Sequence, residues 1–246
     1  MSIETPEDLA GMEQAGKVTR AVLSAMKAAV QSGITTAELD DIGASTMRDQ
    51  GARSAPRLVY RFPGHNCISV NDEVVHGVPG KRRLEDGDLV KLDVTVEVEG
   101  YMADACETVG VGSIRDDSKR LVDCASRAFW AGVSAARPGA RAFEIGKEVH
   151  KVVSAAGYFV VRDLSGHGIG KTIHEPPRIP NELDRSCSDL LREGMVFTIE
   201  PIIAMGTPKT ITLKDGWTLR TRDRSRSAHY EHTVLMTDQG ARLLTA

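Results

Sequence analysis

Residues 88–98, Asp88-Leu89-Val90-Lys91-Leu92-Asp93-Val94-Thr95-Val96-Glu97-Val98, alternate apolar and polar side chains, and no other segment constrains the fold as tightly. Val90, Leu92, Val94, Val96 and Val98 take one face; Lys91, Asp93, Thr95 and Glu97 take the other, the period of a half-buried strand. Glu99-Gly100 is a turn signal, glycine being suited to positive φ, and Tyr101 to Val109 reads as the returning strand. A register centred on Val98 and Glu99 places Asp104 directly opposite Asp93 on the polar face. Opposed Cβ atoms lie ~4.5–5.5 Å apart, and two like charges there destabilise a hairpin. A divalent metal, or two metals sharing carboxylates, would resolve the repulsion. Taken alone, two exposed aspartates on a solvated hairpin face explain the pattern equally well.

Helices precede and follow this hairpin. Thr5-Pro6-Glu7-Asp8 reads as an N-cap with proline in the first turn, and Leu9, Met12, Val18, Val22, Met26 and Val30 recur at helical spacing up to Gly33. Thr35 and Glu38 form a capping box for a second helix that ends at Gly51. Two more helices are expected over 116–136 and about Ala142 to Ala156. Strand-like runs cover 57–70, 88–109, 158–161, 195–205, 209–222 and 228–236, with a Gly/Pro-rich stretch at 166–181. Helices and strands mix without a regular βαβ rhythm, so the class is α+β, and no linker divides residues 1–246 into separate domains.

The formal charge of −3 argues against general affinity for nucleic acid or anionic membrane. Cys67, Cys106, Cys124 and Cys187 are too widely spaced for a zinc cluster or a disulfide framework. The acidic start, Met1-Ser2-Ile3-Glu4, lacks the basic and apolar regions of a signal peptide, and no apolar run is long enough to span a bilayer. A reducing cytoplasm is the simplest expectation.

Three further places could carry chemistry. Gly166-His167-Gly168-Ile169-Gly170-Lys171-Thr172-Ile173-His174 interleaves glycines with two histidines; it lacks the glycine spacing of a phosphate loop. Glu200 interrupts the apolar run Met195 to Met205, an unfavourable place for a carboxylate unless it is paired, neutralised or metal-bound. Pro201 beside it suggests a strand end, so an exposed terminus is the bland alternative. Glu231 lies in a strand-like run with His229 and Thr233 on its face, and His76 sits in a turn-like segment. Four carboxylates with one or two imidazoles suit a borderline divalent ion such as Mn, Fe, Co or Zn. Neither the thiolates of structural zinc nor the clustered ligands of a calcium loop are present.

With these residues assembled, the chain resembles the type I methionine aminopeptidases. The matching segments are Asn71-Asp72-Glu73-Val74-Val75-His76-Gly77-Val78-Pro79, Asp93 with Asp104, Gly166 to Gly170 with His174-Glu175-Pro176, Phe197 to Pro201, and Ser227 to Thr233. The resemblance implies the pita-bread fold: a curved antiparallel sheet with helices on its outer face, in two pseudo-symmetric halves. It implies two divalent metal ions held by Asp93, Asp104, His167, Glu200 and Glu231, with Asp104 and Glu231 shared between them. Glu200 would be the general base, His174 would stabilise developing negative charge, and His76 would hydrogen-bond near the scissile nitrogen. Cys67, Phe62, Ile173 and Trp217 would line the methionine pocket; for Trp217, plain packing in a strand is the alternative.

The implied activity is removal of the initiator methionine from nascent chains whose second residue is small, by a cytoplasmic monomer. N-terminal peptides are the partners, the ribosome a candidate partner, and no nucleic acid or membrane is implied. Prolyl-specific aminopeptidases and dipeptidases share the site, and an inactive binding protein could share the fold. Those prolyl relatives usually carry an extra N-terminal domain, whereas Asp93 comes early here. The short spans from His174 to Glu200 and from Glu200 to Glu231 leave little room for the helical insertion of type II enzymes. Four places depart from the family: Ile173 replaces an aromatic, His229 replaces glutamine, Arg61-Phe62-Pro63-Gly64-His65-Asn66 precedes the pocket cysteine, and Pro177-Arg178-Ile179-Pro180-Asn181 forms an unfamiliar loop.

Overall fold

The computed structural model describes residues 1–246. In chain order its first elements are α1 (Pro6–Ala29), α2 (Thr36–Asp49), β1 (Arg53–Ser54), α3 (Ala55–Tyr60), β2 (Cys67–Val70), β3 (Glu73–Val75), β4 (Leu89–Val98) and β5 (Tyr101–Gly110). Then follow α4 (Asp116–Ala135), α5 (Ala142–Ala155), β6 (Phe159–Val160), β7 (Ser165–Gly168) and β8 (Glu175–Pro180). The last are β9 (Val196–Ile199), β10 (Ile202–Ala204), β11 (Thr210–Thr212), β12 (Leu219–Thr221), β13 (Ser227–Thr237) and β14 (Gly240–Leu243).

Local chemistry accounts for the helices. Thr5 accepts a hydrogen bond from the Asp8 amide (3.1 Å) while the Asp8 carboxylate accepts one from the Thr5 amide (3.2 Å), and Thr35 with Glu38 repeats the device at α2. Helix α4 has no side-chain cap; Asp116 and Asp117 in its first turn oppose the helix dipole instead. None of the helices is long and apolar enough to cross a membrane.

Two apolar cores back one sheet. Helices α1 and α2 bury Met12, Val18, Val22, Met26 and Leu39 against Val90, Leu92, Val94 and Val96 of β4. Helices α4 and α5 bury Leu121, Phe129, Ile145 and Val149 against Phe197, Ile199, Val234 and Met236. The main sheet runs β1-β4-β5-β13-β9-β7-β8, and every strand pair in it is antiparallel. β5 and β13 join the two halves. Their ladder pairs Tyr230, Glu231 and His232 with Glu107, Cys106 and Ala105. On either side of it a threonine hydroxyl bonds the opposite backbone twice: Thr233 with Asp104 N and O (both 2.8 Å), and Thr108 with His229 N and O (both 2.8 Å).

Two expectations need correction. Residues 57–70 are not one strand: Ser54 caps α3 with Pro56 in its first turn, and only Cys67–Val70 is extended. The hairpin register also differs. Glu99 (φ 50°) and Gly100 (φ 85°) both adopt left-handed backbone and are together the two central turn residues, so Val98 pairs with Tyr101. Asp93 therefore stands opposite Cys106 and Asp104 opposite Thr95. The two-residue shift keeps both aspartates on one face, as diagonal rather than direct neighbours.

Candidate active site

The register arranges the polar face of the sheet in three cross-strand rows. Cys67, Asp93, Cys106 and Glu231 form the central row on β2, β4, β5 and β13. Glu200 stands one residue past the end of β9, beside Glu231, because Ile199 pairs with His232. One flanking row carries Thr95, Asp104, Thr233 and Thr198. His167 on β7 joins it, its amide donating to Thr198 Oγ1 at 3.1 Å. The opposite flank carries Lys91, Thr108 and His229. Strand alternation thus gathers acids 138 residues apart in sequence, Asp93 and Glu231, without any of them lying in a single motif.

A cavity of about 770 Å³ opens over these rows, with Asp93, Asp104, His167, Glu200 and Glu231 in its floor. His76, His174, Cys67, Phe62, Ile173 and Trp217 also line it. All the sequence-derived candidates therefore meet in one place. Phe62 packs edge-on against Trp217 with ring centroids 5.3 Å apart, so Trp217 is part of an aromatic wall rather than of a remote strand core. His76 holds its backbone in the left-handed region (φ 57°) where the chain turns toward the cavity.

Burial pushes the carboxyls of Asp104, Glu200 and Glu231 well above the usual carboxylate range and raises Asp93 as well. Mutual repulsion adds to it, Glu231 acting on both Asp104 and Glu200. The ion pairs made by lysine and arginine leave these four acids out. Lys91 is fully buried nearby, but its Nζ is spent on Asn71 O (2.8 Å), Ser227 O (3.2 Å) and Ser227 Oγ (3.1 Å). Asp104 Oδ1 is buried without a hydrogen-bond partner. Oxygen donors crowded together with no internal cation fit divalent metal ions. Two donor groups meet the spatial requirement, Asp104–His167–Glu231 and Glu200–His229–Glu231, and Glu231 belongs to both.

The imidazoles are held in defined states. His167 Nδ1 lies 3.0 Å from Gly168 O, so Nδ1 carries the proton, leaving the lone pair on Nε2, which faces Glu200 Oε1 at 3.4 Å. Burial lowers its pKa to about 4, which keeps the ring neutral. Thr198 Oγ1 donates to Glu200 Oε1 at 2.9 Å, tying down one oxygen of that carboxylate. The His174 ring packs against that of His167 with centroids 4.2 Å apart and planes inclined at 57°, and its Nδ1 meets the Tyr60 hydroxyl. Tyr60 and Thr198 were not among the sequence-derived candidates. A half-exposed tyrosine on a six-residue helix carries no local signal, and its partner lies 114 residues further along the chain.

Comparison with known proteins adds independent findings. The model of "Metallopeptidase family M24" matches residues 10–238. A methionine aminopeptidase of Clostridium perfringens is 41% identical over 234 residues, which cover 95% of this chain and 94% of that one. The methionine aminopeptidase of Escherichia coli K12 is 39% identical over 247 residues, covering 100% and 94%. Among solved structures, the methionine aminopeptidase from Rickettsia prowazekii superposes with a TM-score of 0.95 at 38% identity, covering both chains completely.

Proposed function

The chain belongs to metallopeptidase family M24 and has its pita-bread fold, and we propose that it acts as a methionine aminopeptidase removing the initiator methionine when the second residue is small. The observation that carries this reading is the convergence of four carboxylates, with Asp104, Glu200 and Glu231 buried and Asp93 partly so, and His167 on one cavity, in a chain that full-length methionine aminopeptidases match at about 40% identity. Asp93, Asp104, His167, Glu200 and Glu231 would hold two divalent ions drawn from Co, Mn, Fe and Zn. When bound, such ions polarise a carbonyl and lower the pKa of water.

The chain's own residues supply the rest. Glu200, with Oε1 fixed by Thr198, takes the proton from the attacking water and passes it to the leaving amine. A Tyr60 hydroxyl donating to His174 Nδ1 would leave the His174 proton on Nε2, available to the oxygen on which negative charge develops. His76 lines the same cavity and would bond near the scissile nitrogen. Cys67, Phe62, Ile173 and Trp217 would receive the methionine side chain. Residues 1–246 would act as one catalytic domain, cytoplasmic and monomeric, on N-terminal peptides of nascent chains, with the ribosome a candidate partner; the main sheet's continuity across both halves supports the single domain.

Metal content and turnover of Met-Ala-Ser, compared with an Ala-Pro peptide, test the proposal. Expected are bound divalent ions, cleavage of Met-Ala-Ser and its abolition by chelation. Preference for the Ala-Pro peptide would mark a prolyl-specific enzyme on this site. Full activity in metal-stripped protein would exclude a metallopeptidase mechanism.

A further inference from the structure

His229 occupies the flank of the Glu231–Glu200 pair opposite to His167. Reciprocal bonds between its backbone and the Thr108 hydroxyl fix the strand there, so the direction of its side chain is set by the ladder. The residue is only 2% exposed, and neither Nδ1 nor Nε2 has a hydrogen-bond partner. An imidazole buried so completely is expected to use at least one nitrogen. Its Nε2 lies 3.3 Å from Glu231 Oε2 and 4.0 Å from Glu200 Oε2, yet without hydrogen-bonding geometry toward either. Atoms that each bind one ion at ~2.0–2.2 Å are themselves ~3–4 Å apart and point at a common centre rather than at one another.

We propose that His229 is a sixth metal ligand, its Nε2 sharing an ion with Glu200 and Glu231. The assignment rests on the metallopeptidase reading above and extends its ligand set. The site then presents two imidazoles, one from each flank, to ions that share Glu231. A second nitrogen donor favours nitrogen-seeking ions such as Co, Fe or Zn over Mn.

X-ray absorption of the cobalt-loaded full chain counts imidazoles per ion, and chelator competition measures affinity. The expected result is an average of one imidazole per ion in the unaltered protein. In His229→Gln that average should halve, and one ion should be released at roughly tenfold lower chelator concentration or less. His229→Ala should behave alike. Should either variant fail to fold, the count on the unaltered protein still decides. Two bound ions averaging half an imidazole each, with affinities unchanged in both variants, overturn this assignment alone. A protein that binds no ion overturns the metallopeptidase reading with it.

Discussion

The hairpin β4–β5 and the ribbon β7–β8 both feed the cavity, yet they are built on opposite principles. The hairpin pairs ten consecutive residues without a break, with its apolar face packed under α1. The ribbon shifts register between His167 and Gly168, and its only ladder pair with β9 is Gly168–Phe197. A Cβ at Gly166 would stand 2.5 Å from Thr198 O, and one at Gly168 would stand 2.2 Å from Pro176 O, both backbone atoms that no rotamer change can clear. In the hairpin, position follows from the ladder and chemistry from the side chain. In the ribbon, position itself depends on the absence of side chains beside His167.

The contrast predicts where substitutions act. Asp104→Asn keeps the ladder and removes a charged donor. Because a bound ion contributes several kcal/mol to catalysis, turnover should fall ~10³-fold or more. Near-normal turnover with two ions bound would reduce the aspartate pair to a structural feature. On the ribbon the two histidines should separate: His167→Ala loses metal first, whereas His174→Ala keeps its ions and loses ~10²–10³ in kcat. Elemental analysis of both variants decides, and equal metal content would mean ligand and catalyst have been exchanged.

Stability gives a smaller effect. Gly168→Ala forces backbone apart and should destabilise by ~1–3 kcal/mol, a fall in Tm of ~2–4 °C per kcal/mol for a chain of this size. The converse change in the hairpin turn, Glu99→Gly, should stay within ~1 kcal/mol, because the left-handed backbone there already suits glycine. Similar Tm shifts in both would dissolve the distinction. The mildest test concerns Ile173, which follows the ribbon's first strand and is smaller than the family's aromatic. Packing differences of this size are worth ~1–3 kcal/mol. Ile173→Phe should therefore raise the kcat/KM ratio of Met-Ala-Ser over Leu-Ala-Ser several-fold without altering metal content. An unchanged ratio would remove Ile173 from the pocket wall.

The same two regions differ in how far they can be read without coordinates. Period-two alternation and capping boxes reveal β4, α1 and α2, and they put Asp93 and Asp104 on one face. They do not settle the turn centre: choosing Glu99 and Gly100 instead of Val98 and Glu99 moves the partner of Asp93 from Asp104 to Cys106. Near the ribbon, β7 and β8 lie in a Gly/Pro-rich stretch where periodicity is silent, and their pairing depends on close backbone approach. Leu58, Val59 and Tyr60 imitate a strand in composition, but the Ser54 cap and Pro56 make them helical and leave them exposed. Glu200 and Glu231 stand out because carboxylates interrupt apolar runs. His229 is a different case: its residue type shows in the sequence, but its burial and unused nitrogens appear only once β13 lies against β5.

The central row also bears on oxidative chemistry, because it places Cys67 and Cys106 on either side of Asp93, and Cys106 between Asp93 and Glu231. Peroxides and alkylating agents attack thiolate, not thiol. Burial, reinforced by the negative potential of Asp93 first among its neighbours, raises both thiols well above their ordinary value. At neutral pH the sulfurs are therefore protonated and slow to react. The acids that make the row attractive to cations also passivate the softest atoms within it.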